Sequence, residues 1–301
     1  MPPGPAVPRR ALILLVGLTL IWGTNWPVIP YAVREVSIWT FRGVALLGAG
    51  AALLLYARLR GMAMGIARRH WKAMLAATLS YLVISNVAST YAAVSIPSGQ
   101  AAVLTFTMPL WVALINWAML GERPAARLLL AIALGGTGVA LLLLRGLSSY
   151  ASAPLGFAAG LLAGLGWAVG TLIIKRSGIP VSAIVLTGWQ LVVGSIPVSA
   201  MALALSDKPW FMPGWPSIAA IAWIMLIPMA IGNAVWFAIV ELLPANVAGL
   251  SSVMVPVVAM VSGALVHGEP LGALQLVSML CCVVALGLAL GPQTRPADRA
   301  P

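Results

Sequence analysis

The chain has 301 residues, 61% of them hydrophobic and only 8% charged, with 17 Lys and Arg against 6 Asp and Glu. Ordinary soluble domains carry about 25% charged residues, and a globule of this size could not hide so much apolar surface, so the composition excludes a water-soluble protein and implies lipid as the solvent. A formal net charge of +11 would point to nucleic acid in a soluble chain. Here the positive charge lies in the breaks between apolar runs, and no nucleic-acid partner is expected.

The first run, residues 11–32, follows Arg9 and Arg10 and begins ALILLVGLTLIWG. It starts like a secretion signal, but no small-x-small cleavage site follows and TNWPVIPYA keeps the apolar character. An uncleaved transmembrane helix is expected. Further runs follow at 37–57, 72–93, 98–119, 124–144, 154–174, 181–205, 216–239, 246–267 and 271–290. Each is close to the ~20 residues that span a bilayer as a helix, and none alternates as a membrane β-strand would. The breaks between them, such as REVS, GERP, KRSGIP and HGEP, are too short for a soluble domain. The predicted fold is an all-α polytopic membrane protein with ten transmembrane helices.

Lys and Arg in the breaks set the orientation. With the N-terminus in the cytoplasm, 13 of the 17 fall on the cytoplasmic side, and only Arg34, Arg145 and Lys208 on the other. Both tails, 1–10 and 291–301, are then cytoplasmic. Arg42 is the remaining cation, inside the second run. We expect it to snorkel to the surface, the alternative being an approach to a substrate carboxylate from the bundle interior.

Laying residues 71–124 over 218–271 pairs Asn86 with Asn233, Pro97 with Pro244, Ala101 with Ala248, Pro109 with Pro256, Gly121 with Gly268 and Glu122 with Glu269, always 147 apart. The chain therefore reads as two five-helix units, 11–145 and 154–290. An odd number of spans per unit makes the second enter the membrane from the opposite side. The expected plan is an inverted-topology repeat with a solute site between the halves near mid-membrane.

A solute site needs polar and aromatic groups at mid-depth. Trp22, Asn25 and Trp26 share one face of the first helix, as Trp167 and Thr171 share one face of the sixth. Tyr81, Ser85 and Asn86 lie mid-helix in the third run, Asn233 and Trp236 past the middle of the eighth, and Trp111 and Trp189 add mid-helix indoles. These twelve are the predicted substrate-binding residues. For the tryptophans the rival role is helix packing, and for Asn86 and Asn233 an interhelical hydrogen bond worth roughly 0.6 kcal/mol. Trp39, Trp71, Trp117, Trp210 and Trp215 sit near run ends or in breaks, where an interfacial belt accounts for them. An indole-lined cavity suits a solute with an apolar or aromatic body.

Pro109 and Pro256, matched by the repeat, are the expected hinges. Glycines 156, 160 and 164 form a stripe that implies close helix packing. Cys281 and Cys282 read as small apolar residues, and no metal spacing or cofactor motif is present. All six acidic residues and both histidines fall in breaks or at run ends, so downhill transport is expected rather than coupling to a proton held in the membrane. Glu122 and Glu269 each lie before a helix beginning near Pro124 or Pro270, where each should fix the turn of its own unit. No catalytic constellation is legible, so an enzyme is not expected.

IWGTNW in the first run, FRGVALL in the second and GERP at the fourth-to-fifth junction, in that order and spacing, resemble the EamA-type transporters of the drug/metabolite transporter superfamily. The abundance of tryptophan is similar to that of the YddG-type aromatic amino-acid exporters within it. The resemblance implies an alternating-access exporter in a bacterial inner membrane, acting on aromatic or neutral amino acids and related metabolites. It would work as a monomer, or else a dimer, with the bilayer as its surroundings. An exporter of other small metabolites or drugs is the alternative, and a solute channel the alternative of another class.

Overall fold

The computed structural model describes residues 9–121, 126–150, 153–206, 213–233, 235, 250–269 and 271–290, and among them every regular element is helical. In chain order, α1 runs through Arg9–Asn25, a 3-10 turn Trp26–Val28 and Ile29–Ala32. Helix α2 is Ile38–Leu59. Helix α3 joins Trp71–Ala77, a π-helical stretch Thr78–Ser85 and Asn86–Ser95. Helix α4 is split into Ser98–Thr105 and Met108–Leu120. Then come α5 (Ala126–Tyr150), α6 (Pro154–Ser177) and α7 (Ala183–Leu205). Helix α8 joins Trp215–Ile224 to a second π-helical stretch, Met225–Ile231. Leu250–His267 forms α9 and Ala273–Leu290 forms α10.

Local chemistry accounts for many of these boundaries. The Ser37 and Ser182 hydroxyls accept the backbone N–H of Thr40 (3.0 Å) and Val185 (3.3 Å), capping α2 and α7. Pro154 occupies the first turn of α6, where its missing N–H costs nothing. Gly121 and Gly268 close α4 and α9 in the left-handed region with the same φ of 65°, a conformation that any side chain would strain. These two glycines are 147 residues apart. One boundary departs from expectation: α5 continues to Tyr150 through residues read from the sequence as a break beginning at Arg145.

Among the described residues, six helices are long and apolar enough to cross a membrane, namely Ile13–Ala32, Ile38–Leu59, Arg68–Ser95, Ser98–Met119, Pro154–Ser177 and Ala183–Leu205. Shorter apolar helices cover Leu129–Gly138, Trp215–Ile231, Met254–His267 and Ala273–Ala285. Their outer faces carry bare apolar side chains such as Leu203 (64% exposed), Leu265 (82%) and Leu280 (61%). Water would penalise such a surface and lipid accepts it, so this is a multi-pass membrane protein.

Inside, α2 packs on α7, α5 on α10, α1 on α9, and α6 on α3 and α4. Glycines permit the close approach. A Cβ on Gly156, Gly160 or Gly164 would lie within 2.8 Å of Ser95, Leu104 or Thr107, so the α6 stripe is a packing surface. The shared core includes Phe41, Leu46, Leu104, Leu191 and Ile224.

Candidate substrate cavity

Four interruptions of regular helix surround the middle of the bundle. Pro27 has no N–H and tightens α1 into its 3-10 turn. Helix α4 breaks at Phe106 and Thr107 and restarts with Pro109 in the first turn of its second piece. Helices α3 and α8 widen into π stretches, a form that recurs at functional sites. Pro228 lies within the α8 stretch, whereas the α3 stretch contains no proline. The two begin at Thr78 and Met225, again 147 apart.

The interruptions enclose a cavity of about 130 Å³ lined from α1, α2, α3, α4, α6, α7 and α8. Eight of the twelve predicted residues line it: Trp22, Asn25, Trp26, Tyr81, Ser85, Asn86, Trp167 and Asn233. Trp167 is the hub of its aromatic wall. It stacks on Tyr81 (5.7 Å, 9°) and meets Trp22 (6.4 Å, 83°) and Phe106 (5.4 Å, 81°) edge-on. Trp26 touches Phe106 in turn (6.5 Å, 62°). The Trp22 indole N–H donates to the Pro228 carbonyl at 3.2 Å. The polar end of that ring is thus satisfied by the opposite half of the chain.

Asn86 and Asn233 line the cavity, and each amide bonds within its own helix. Asn86 Nδ2 donates to the Tyr81 carbonyl (3.4 Å) and Asn233 Nδ2 to the Met229 carbonyl (2.5 Å). Each amide thereby serves a carbonyl of the π stretch just before it, where the regular ladder is disturbed. Asn25 Oδ1 and Thr105 Oγ1 also lie at the cavity, buried and without a hydrogen-bond partner among the described residues.

Arg42 does not snorkel. It is 4% exposed and lines the cavity. Its Nε donates to Thr90 Oγ1, Nη2 to Ser89 Oγ (3.4 Å), and Nη1 points at the Met229 sulfur (3.9 Å). Ser89 and Thr90 pass their own protons to the Asn86 carbonyl at 3.0 and 2.8 Å. They are therefore turned to accept from the guanidinium.

The remaining predictions fare differently. Trp189 lies in the second turn of α7, not mid-helix, and donates to the Met64 carbonyl (2.9 Å), pinning the α2–α3 loop. Trp111 and Thr171 lie outside the cavity, Trp111 with a buried indole N–H that has no partner among the described residues. Trp236 falls outside the described residues. Pro256 sits within an unbroken α9, whereas Pro109 opens a new helical piece, so the matched prolines occupy unlike settings. Trp71 (50% exposed) and Trp215 (76%) fit a belt, as does half-exposed Trp117. Trp39 packs against the core instead, and Trp210 is outside the described residues. Phe106 and Met229 also line the cavity and were not among the predicted residues. The run TFTMP was the available signal, since Pro109 denies that stretch a regular ladder.

The loops are tied across the chain. Glu269 does not serve its own turn: its Oε1 accepts the Ser98 N–H (2.9 Å) at the start of α4. Glu122 lies outside the described residues. Glu35 Oε2 accepts the Gly214 N–H (2.6 Å) at the start of α8. A side-chain bond from Ser217 and that backbone N–H hold the Glu35 carboxyl below its ordinary value against an opposing cost of burial, with Arg34 a lesser aid. His267 Nε2 meets the Pro27 carbonyl at 2.7 Å, and its ring stacks on Tyr31 (5.4 Å). Elsewhere Arg176 donates to Asn116 Oδ1 at 3.1 Å.

An apolar helical bundle with an aromatic-walled, partly polar cavity at its centre is the architecture of a membrane protein that handles a solute. The chain belongs to the EamA-like transporter family, whose model matches it twice, over residues 9–144 and 154–291. It is 25% identical over 280 residues to the uncharacterized transporter YvbV of Bacillus subtilis, covering 91% of each chain. It is 27% identical over 285 residues to the uncharacterized inner membrane transporter YedA of Escherichia coli K12, covering 94% of this chain and 92% of that one. A solved crystal structure shares the fold with a TM-score of 0.68 at 16% identity, over 93% of this chain and 97% of the other.

Proposed function

We propose that the protein is an alternating-access carrier of the bacterial inner membrane that exports amino acids, aromatic or neutral ones and related metabolites. Its route is the cavity between two inverted five-helix halves, 11–145 and 154–290, with both termini cytoplasmic. The observation that carries this reading is the cavity wall. Indole, phenol and phenyl rings from α1, α3, α4 and α6 meet there at 5.4–6.5 Å, a surface that receives an apolar or aromatic body by stacking and burial.

The inverted plan draws support from the double family match, from the paired glycines and π stretches 147 residues apart, and from helix pairing that the repeat maps onto itself. The orientation draws support from the loop contacts. Glu269 to Ser98, Glu35 to Gly214 and His267 to Pro27 join only segments expected outside, while Trp189 to Met64 and Arg176 to Asn116 join only segments expected inside. Membership of the family and the inner-membrane relative support the location. No carboxylate or histidine is among the described residues lining the cavity, in keeping with downhill export. The Pro109 and Pro256 pair are the hinges of this scheme, Pro109 with the better claim because α4 is already broken beside it.

Reconstitution in proteoliposomes tests the reading. A panel beginning with aromatic amino acids should show saturable counterflow, without accumulation under an imposed pH difference. Cysteine pairs placed at Glu35 with Gly214, and separately at Trp189 with Met64, both of which meet in this structure, should each cross-link and each block flux. Simultaneous cross-linking with flux intact is the behaviour of a pore and would sink the carrier mechanism. Flux of unrelated metabolites only would sink the amino-acid assignment.

A further inference from the structure

We infer that Arg42 is the carboxylate anchor of the cavity, so that the solute carries a single carboxylate on an apolar or aromatic body. The inference rests on reading the cavity as the solute site and sharpens it to a charge.

Arg42 is 4% exposed in the middle of an apolar bundle, and no Asp or Glu faces it among the described residues. Every group it touches among the described residues is neutral: two hydroxyls, a thioether and the Phe41 ring 4.9 Å from its Cζ. Burying a guanidinium with neutral partners alone is costly, and the site gains most from a ligand that brings the missing negative charge.

The hydrogen bonds agree. A guanidinium has five N–H donors. Nε gives its proton to Thr90, and Nη2 and Nη1 each give one to Ser89 and Met229. One N–H on each terminal nitrogen is left without a partner among the described residues, and a bidentate carboxylate takes two. Because Ser89 and Thr90 donate onward to the Asn86 carbonyl, they hold the fork in place as acceptors and do not compete for an anion. With one cation the cavity suits a monoanionic group. A phosphate would call for more positive charge than the described lining supplies.

The test uses the full chain in nanodiscs and four probes that share one ring: indole-3-propionate, L-tryptophan, tryptamine and indole-3-ethanol. The two carboxylate-bearing probes should bind roughly tenfold or more tightly than tryptamine, as expected for a charge-assisted bidentate pair. Arg42→Gln should abolish that difference while leaving indole-3-ethanol binding within about twofold, and Arg42→Lys should restore part of it. If Arg42→Gln does not fold, Ser89→Ala with Thr90→Val, which frees the fork, should narrow the same preference. Equal binding of tryptamine and indole-3-propionate overturns the inference, as does an undiminished preference in Arg42→Gln. An aliphatic pair, 4-methylpentanoate and isopentylamine, separates the two readings. A carboxylate preference there with no binding of any indole refutes the aromatic substrate and leaves Arg42 as the anchor, whereas no binding of any carboxylate probe overturns the anchor itself.

Discussion

The π stretches of α3 and α8 start 147 residues apart and widen the same part of two equivalent helices, yet they are made and used differently. In α8, Pro228 removes an N–H from the helical ladder, and its own carbonyl accepts the Trp22 indole N–H. In α3 the equivalent position is Tyr81, which keeps its N–H and stacks its ring on Trp167. One half therefore holds its cavity tryptophan by a hydrogen bond and the other by a face-to-face aromatic pair. At positions 147 residues apart the helical geometry is alike and the chemistry differs, which makes the cavity two-sided. Its only described cation also comes from one half alone, on α2.

That contrast can be broken at several points. Replacing the stacked member should have the largest effect. Trp167→Ala removes three ring contacts, each worth about 0.5–1.5 kcal/mol beyond burial, and flux should fall by more than roughly tenfold. Trp22→Ala loses one ring contact and one hydrogen bond and should fall less. Equal flux in Trp167→Ala and wild-type liposomes would refute a role for the stack.

Glycine contacts come next. A Cβ at Gly232 would lie 2.6 Å from Trp22 Nε1, and one at Gly170 would lie 2.5 Å from Tyr81 Cβ. Gly232→Val and Gly170→Val should each destabilise the protein by about 1–3 kcal/mol, read as a fall in melting temperature in detergent. Gly170→Val should be the worse, because it meets backbone at the Ala77 carbonyl as well as a side chain.

Smaller still is the loss of one back-bond to a π carbonyl. Asn86→Ala and Asn233→Ala should each cost roughly 0.6 kcal/mol. Asn86→Ala keeps the backbone carbonyl that receives Ser89 and Thr90, so the fork of Arg42 should stay in place and the two changes should match in thermal stability.

The smallest effect concerns the loop between α1 and α2. Glu35 has a folded-state pKa below its ordinary value, so its contribution is present above about pH 4.3 and is lost only as pH falls through the depressed value. Cross-linking between positions 34 and 214 should stay constant from neutral pH down to about 4.3 and loosen only below it. A transition near neutral pH would contradict the assignment to this carboxylate.

The sequence by itself determined a good deal. Apolar runs of about 20 residues set most of the described helices, because lipid leaves a backbone few ways to satisfy its hydrogen bonds. The 147-residue register pairs Gly121 with Gly268 and the starts of the two π stretches, and spacing on a single helix brought Trp22, Asn25 and Trp26 to one face. Tertiary structure decided what depends on a neighbour. Trp111 and Trp167 look alike as mid-run indoles, and only packing put the second at the cavity. Arg42, near the end of its run, looked able to reach the surface, but α3 and α8 close over it. Glu269 looked like a local turn residue until the fold brought it to the N-terminus of α4. Periodicity reports which face a residue occupies on its own helix. The chemistry of that residue depends on what the other helices bring against the face, and that is fixed only when the bundle closes.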